Sequence, residues 1–294
     1  MENNRETLKY ITSLVLFGMN GILASQVKTD SLIIVLFRTF SGSVVLFIAF
    51  MIKNKRIQWN KNKTDKLWLF LSGVAMGFGW LFLYDAFQSL GVGMATMTYY
   101  FGPAIVILAA PLCLNEKISK SKIGAFFIVL VGMVFLMIQT MNQTVAVRGV
   151  IAGLSAAICY ALMIILGRKN KKVEGIECAL YQMLGAFGVV MLFALMKGWS
   201  IPTLTGKGWV SLLILGIVNT GFGCYLYFSA IPHLNIQTVA ILGYLEPLSA
   251  VILGMVFLGE RMTMVQLTGV VFILAGAYLG ERKKDIRVDI PSSV

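Results

Sequence analysis

Apolar runs of about 18 to 24 residues, the length a helix needs to cross a bilayer, recur from one end of this chain to the other. Lipid offers the backbone no hydrogen bonds, so a segment immersed in it must be a helix or part of a closed barrel. The runs are unbroken and lack the alternating pattern of a barrel strand, so the fold class expected is an all-α membrane protein. Ten ranges qualify: 8–26, 31–52, 67–90, 92–114, 121–140, 149–167, 177–197, 207–231, 236–258 and 263–280. Only 13% of the residues are charged, against about one quarter in soluble domains, which leaves no segment able to fold as an aqueous domain. "GVG" at 91–93 and "HLN" at 233–235 are read as the turns of two tight helical hairpins.

The net charge of +12 would suggest a nucleic-acid partner in a soluble protein. Here its distribution gives a different reading. With the N-terminus placed in the cytoplasm, the inner loops and termini carry 19 Lys and Arg and the outer loops carry 5, with Arg38 inside a span. Basic residues are retained on the cytoplasmic side, so both termini are expected there, in the plasma or inner membrane. Trp59, Trp68, Trp199 and Trp209 fall at span ends, where aromatic anchors belong.

The chain also repeats itself. At an offset of 144 residues, "GFG" at 77–79 meets "GFG" at 221–223, and Tyr100-x-x-Pro103 meets Tyr244-x-x-Pro247. Leu114-x-Glu116-Lys117 likewise meets Leu258-x-Glu260-Arg261, and 14 of 70 positions between 67–136 and 211–280 are identical. Five spans is an odd number, so the second half would enter the membrane in the opposite sense to the first. The expectation is ten transmembrane helices as two inverted five-helix repeats, at 8–140 and 149–280, with a basic cytoplasmic tail at 281–294. Such repeats characterise secondary transporters, whose sites lie near the midplane where the halves meet.

"YLEPLSAVILGMVFLGERMT" at 244–263, the duplicated five-span unit and the total of ten spans resemble the EamA branch of the drug/metabolite transporter superfamily. The resemblance covers residues 8 to 280. It implies a ten-helix bundle that moves a small organic metabolite, often outward. The first repeat departs from the fuller motif, with Gly102 where the second has Glu246.

Three ionisable residues stand well inside the spans: Arg38, Asp85 and Glu246. Each costs about 2.5–3.5 kcal/mol to insert centrally, so each needs a reason. Counting about 1.5 Å per residue puts Arg38 and Asp85 at one level, roughly 8–11 Å in from the outside, where Tyr99 and Tyr100 also arrive. A facing Arg38–Asp85 pair is one expectation, either as a permanent ion pair or as a cavity contact to a zwitterionic substrate. Arg38 snorkelling to the outer headgroups is another. Glu246, before Pro247 and near the midplane, is open to three roles: proton coupling, a carboxyl bonded across the halves, or substrate contact. Trp80, Tyr84, Tyr225, Tyr227 and Tyr244 supply aromatic surface for packing or for cation–π contact with an amine. The substrate-site candidates are thus Arg38, Trp80, Asp85, Tyr99, Tyr100, Tyr244 and Glu246.

Other classes find less support. Cys113, Cys159, Cys178 and Cys224 have no C-x-x-C spacing and His233 is the only histidine, so no metal or other cofactor is expected. No G-x-x-x-x-G-K-[ST] loop is present for ATP-driven pumping. An intramembrane enzyme would need paired carboxylates or a nucleophile with its base, and the spans show neither; a membrane sensor or scaffold, the other non-transporting alternative, is disfavoured by the lack of any sizeable soluble part. The expected reading is a non-enzymatic carrier of a small polar metabolite such as an amino acid or amine. Its partners would be that solute, the bilayer and possible coupling protons, with no nucleic acid, in a monomer or homodimer.

Overall fold

The computed structural model of the protein describes residues 2–52, 62–114, 120–137, 147–258 and 263–282. Each of the ten expected ranges falls on helix, and no strand occurs among the described residues. Seven helical stretches are long and apolar enough to cross a membrane: Asn4–Ala24, Ser31–Ile52, Lys63–Leu90, Val147–Lys169, Ile176–Lys197, Gly206–His233 and Ile236–Gly254. Three shorter apolar helices, Gly102–Leu114, Ile123–Phe135 and Met264–Leu279, occupy the other three ranges. The boundary pairs Glu116–Lys117 and Glu260–Arg261, Trp59 and residues 283–294 of the tail lie outside the described residues.

In chain order the helices are α1 (Glu2–Gly18), α2 (Asn20–Ser25), α3 (Ser31–Ile52), α4 (Lys63–Tyr99), α5 (Gly102–Leu114), α6 (Lys120–Met137) and α7 (Val147–Lys169). Then follow α8 (Ile176–Lys197), α9 (Gly206–Ile214), a π-helical segment (Leu215–Phe222), α10 (Gly223–Ala230), a short 3-10 turn (Ile231–His233), α11 (Ile236–Leu242), α12 (Leu245–Leu258) and α13 (Met264–Arg282). Local chemistry sets several starts. The Asp30 carboxylate accepts from the Leu32 amide at 2.9 Å before α3, and the Thr205 hydroxyl accepts from the Gly208 amide at 3.3 Å before α9.

Burial is inverted relative to a soluble protein. Leu112, Met196 and Val256 stand on the outer surface, while Arg38, Thr39, Ser72, Gln182, Asn219 and Thr220 are buried. A surface this apolar fits lipid and not water. Buried hydroxyls find partners inside the bundle, as a medium without hydrogen bonds requires: Ser72 donates to the Met163 carbonyl at 2.7 Å, and Thr39 to the Val35 carbonyl at 2.8 Å, while the Asn219 Oδ1 is buried without a donor among the described residues.

The turn expected at 91–93 leaves no gap in the helical backbone of α4, yet the chain does reverse there. Ser72 bonds Met163 and Gly79 packs on Cys159, while Gly149 packs on Ser89 and Leu90, so the first part of α4 runs antiparallel to α7. Thr98 then packs on Gly153, and Gly102 on Tyr160. Between residues 72 and 98 a straight helix would advance about 39 Å, whereas their partners 163 and 153 are only about 15 Å apart along α7. A turn that keeps helical backbone geometry between 90 and 98 reconciles the two. The second expected turn, near His233, is visible as the 3-10 segment followed by extended backbone at Leu234.

Helices α6 and α13 pack through two glycines. Gly132 lies against Gly269 and Ile273, and Gly276 lies against Ala125 and Val129. Gly132 and Gly276 are 144 positions apart, as are 125 and 269, and 129 and 273, so the contact is reciprocal.

Candidate functional site

Two helix breaks place the site. Backbone helix stops at Tyr100–Phe101, between α4 and α5, and again at Gly243–Tyr244, between α11 and α12. In each case a proline follows, Pro103 or Pro247, inside the first turn of the next helix, where its missing N–H costs nothing. The two breaks touch: the Tyr244 hydroxyl donates to the Tyr100 carbonyl at 2.9 Å, and the two rings lie 5.9 Å apart. A carbonyl freed by one break is therefore satisfied by a side chain from the other.

Beside the breaks lies a cleft lined by Phe17, Asn20, Arg38, Met76, Gly79, Trp80, Tyr99, Tyr160, Met163, Cys224, Tyr227, Phe228 and Glu246. The cleft is narrow, with about 540 Å³ of space between its walls, part of it open to the outside, and room for only a few waters. Its chemistry is a cation and an acid set in aromatic walls. Arg38, from α3, is 4% exposed. Its Nε donates to the Thr220 hydroxyl at 3.1 Å, and its guanidinium lies 4.3 Å above the Trp80 ring. Glu246 stands in the first turn of α12, where the helix dipole favours a carboxylate, within electrostatic range of Arg38 and beside Tyr100. The Tyr227 and Tyr160 hydroxyls meet at 3.4 Å, and Tyr10 stacks on Tyr227 with its hydroxyl on the Val239 carbonyl.

The structure thus brings Arg38, Trp80, Tyr99 and Glu246 to one cleft. The expected Arg38–Asp85 pair does not form. Asp85 takes Arg148 instead, Nη2 to Oδ1 at 3.0 Å, with side chains 36% and 80% exposed. Arg38 sits beside Trp80, more than a turn along α4 from Asp85, and Asp85 lies on a face of α4 turned toward the start of α7. Tyr100 and Tyr244 are buried at the breaks and do not line the cleft. Tyr84 packs edge-on against Phe87, and Tyr225 against Phe222.

Sequence reasoning passed over Asn20, Tyr160 and Thr220. Each is a polar group inside an apolar run, and that was the signal available. Asn20 joins the polar lining through Asn219, whose Nδ2 donates to the Asn20 Oδ1 at 3.0 Å and to the Leu16 carbonyl at 2.8 Å. A second cleft, with Arg168, Lys169, Lys171 and His233 on its walls, lies at the far end of α7. There Arg168 donates to the Ile231 and Pro232 carbonyls and braces the 3-10 turn. Among the described residues no group of three or more His, Cys, Asp or Glu could hold a metal ion.

Comparison with known proteins bears on this arrangement. The EamA-like transporter family matches residues 7–138 and again 147–280. An uncharacterized transporter of Bacillus subtilis, YxxF, is 24% identical over 95% of this chain and 90% of its own length. The Escherichia coli threonine/homoserine exporter RhtA is 27% identical over 83% of this chain and 80% of its own. A solved crystal structure superposes with a TM-score of 0.81 at 16% identity, covering 94% of this chain and 97% of the other, which supports the fold alone. Two family matches that together take in nearly the whole sequence are decisive: the chain belongs to the EamA-like transporter family, within the drug/metabolite transporter superfamily.

Proposed function

We propose that this protein is a secondary carrier that exports or exchanges a small polar organic metabolite, an amino acid or amine, by alternating access across the cell membrane. The observation that carries the reading is the presence of Arg38 and Glu246 on the walls of one aromatic cleft. A guanidinium suits a carboxylate, a carboxylate suits an ammonium, and Trp80 and Tyr99 offer stacking to the rest of the solute. The likeness to a threonine/homoserine exporter agrees with such a substrate. The cleft's narrowness supports alternating access, since a metabolite needs the helices around it to part.

The architecture in this proposal is ten transmembrane helices as two inverted five-helix repeats, with both termini cytoplasmic. Its support is the double family match, the contact of Tyr100 with its counterpart Tyr244, and the reciprocal packing of Gly132 and Gly276. Residues that correspond under a repeat meet one another where a two-fold axis passes. The asymmetry of Lys and Arg supports the orientation. Glu246 is the candidate for proton coupling.

The test is a thermal-stabilisation screen of purified protein against amino acids, amines, nucleosides and sugars, followed by counterflow of the best compounds in proteoliposomes. Stabilisation and counterflow by zwitterions or amines are expected. Folded, reconstituted protein that exchanges none of the four classes would overturn the proposal.

A further inference from the structure

The guanidinium of Arg38 is unusually constrained. Its Nε donates to Thr220 and one face is covered by Trp80, while its Nη1–Nη2 edge donates no hydrogen bond to, and forms no ion pair with, any described residue. This edge belongs to a side chain that is 4% exposed and borders the cleft, so its free donors point to a ligand. Two parallel N–H groups match the two oxygens of a carboxylate.

The Thr220 contact depends on an irregular backbone. Residues Leu215–Phe222 form a π-helix, whose wider turn is rare and recurs at functional sites. Within it the Thr220 hydroxyl donates to the Leu215 carbonyl, five residues back, at 2.7 Å, and so presents its lone pairs to Arg38. The stretch 144 residues earlier, 71–78, is regular α-helix inside α4. There Met76 corresponds to Thr220 and Gln182 to Arg38, and the Gln182 Oε1 lies 2.6 Å from the Ser72 hydroxyl, one turn before Met76. The π turn thus supplies a hydroxyl to Arg38 at a level where the other half has none.

We infer that Thr220 is a positioning residue for acid recognition: the π-helical turn sets its hydroxyl on the Nε of Arg38, which turns the Nη1–Nη2 edge toward a substrate carboxylate in the cleft. The inference rests on the reading of the cleft as the substrate site. Valine at position 220 keeps the shape and removes the acceptor; serine restores it.

The test has two arms. In [15N]arginine-labelled protein the Arg38 Nε–H signal, assigned by its loss in Arg38→Lys, should shift and exchange faster with water in Thr220→Val and in Thr220→Ala. It should match the wild type in Thr220→Ser. An unchanged signal in a folded Val or Ala variant overturns the positioning role, and this arm needs no ligand. The second arm compares thermal stabilisation by L-leucine and by L-leucinol, in which a hydroxymethyl group replaces the carboxylate. The wild type should prefer leucine, Thr220→Val should reduce that preference about tenfold, and Thr220→Ser should recover it. Ser229→Ala, on the same span away from Arg38, should keep the preference. Equal affinity for the two probes in the wild type, or an unaltered preference in Thr220→Val, would overturn carboxylate recognition. If neither probe binds the wild type, the comparison passes to the best amino acid of the stabilisation screen and its amino alcohol; failure of every amino acid there overturns carboxylate recognition, and the arginine signal alone then decides what Thr220 does.

Discussion

The two helix breaks share a backbone plan and differ in chemistry. Each has a tyrosine in the gap between two helices, restarts the helix within three residues and places a proline in the new first turn. At the second break the residue before proline is Glu246, which faces the cleft; at the first it is Gly102, which is buried. The reason lies across the interface. A Cβ at Gly102 would meet the Tyr160 ring 2.6 Å away, so that ring already fills the space a side chain would use. Duplicated backbone can therefore carry one acid and not two, because the neighbour of one break is an aromatic wall of the cleft. The tyrosines divide in the same way: Tyr244 caps the opposite break, whereas Tyr100 sits beside Glu246.

The largest expected effect comes from forcing the breaks to match. Gly102→Glu sets an acid against the Tyr160 ring and should abolish a folded, monodisperse protein in detergent. Gly102→Ala is the graded version. Overpacking of this kind costs about 1–3 kcal/mol, and it should be relieved in Gly102→Ala with Tyr160→Ala. Thermal unfolding of the two singles and the double checks this. A Gly102→Ala variant as stable as the wild type would show that the ring moves aside freely, and the steric account of the asymmetry would fall.

Next in size is Glu246→Gln, which keeps shape and removes the charge. If this acid couples transport to protons, flux driven by a pH gradient should drop at least about tenfold, while counterflow at equal pH is kept. Equal loss of both would assign Glu246 to substrate contact instead. A smaller effect is expected at the tyrosine contact between the breaks. Tyr244→Phe leaves the buried Tyr100 carbonyl without its donor and should cost about 1–3 kcal/mol. Tyr100→Phe should cost less in stability and act on transport through Glu246. Reversal of that order in melting temperature would undo the division of labour between the two tyrosines.

The position of helices along the chain was legible in the sequence; direction around a helix was not. Run length placed helices at all ten ranges, and the insertion cost of charge singled out Arg38 and Glu246, which do share the cleft. The same reasoning joined Arg38 to Asp85 because residue counting set both at one level, whereas Arg38 meets Trp80, more than a turn away. A level is fixed by counting residues, but the face a side chain takes depends on how helices rotate against each other, and lipid-facing and core-facing positions are both apolar here. The π-helix was hidden for a related reason: "LGIVNTGF" has the composition of any span, and its wide turn belongs to the packing around Arg38. Tyr100 and Tyr244 were found as a repeated motif, but their role at the breaks depends on contact between halves 144 residues apart.

The smallest effect belongs to the pair that replaced the expected one. Asp85 and Arg148 join α4 to α7 near the start of α7, with the arginine largely in solvent. An exposed ion pair gains little from Coulomb attraction in a high dielectric and must order two side chains, so it is worth at most about 1 kcal/mol. Asp85→Asn, Arg148→Gln and the double variant should each unfold close to the wild-type temperature, and the difference should shrink further in high salt. Arg38 should behave oppositely, because Arg38→Gln alters the cleft itself and should weaken carboxylate-bearing solutes while Asp85→Asn leaves them unaffected. That contrast is measured by stabilisation with L-leucine in the two variants. An equal loss in Asp85→Asn would return Asp85 to the substrate path and mean that the contact with Arg148 is one state of a residue that also reaches the cleft.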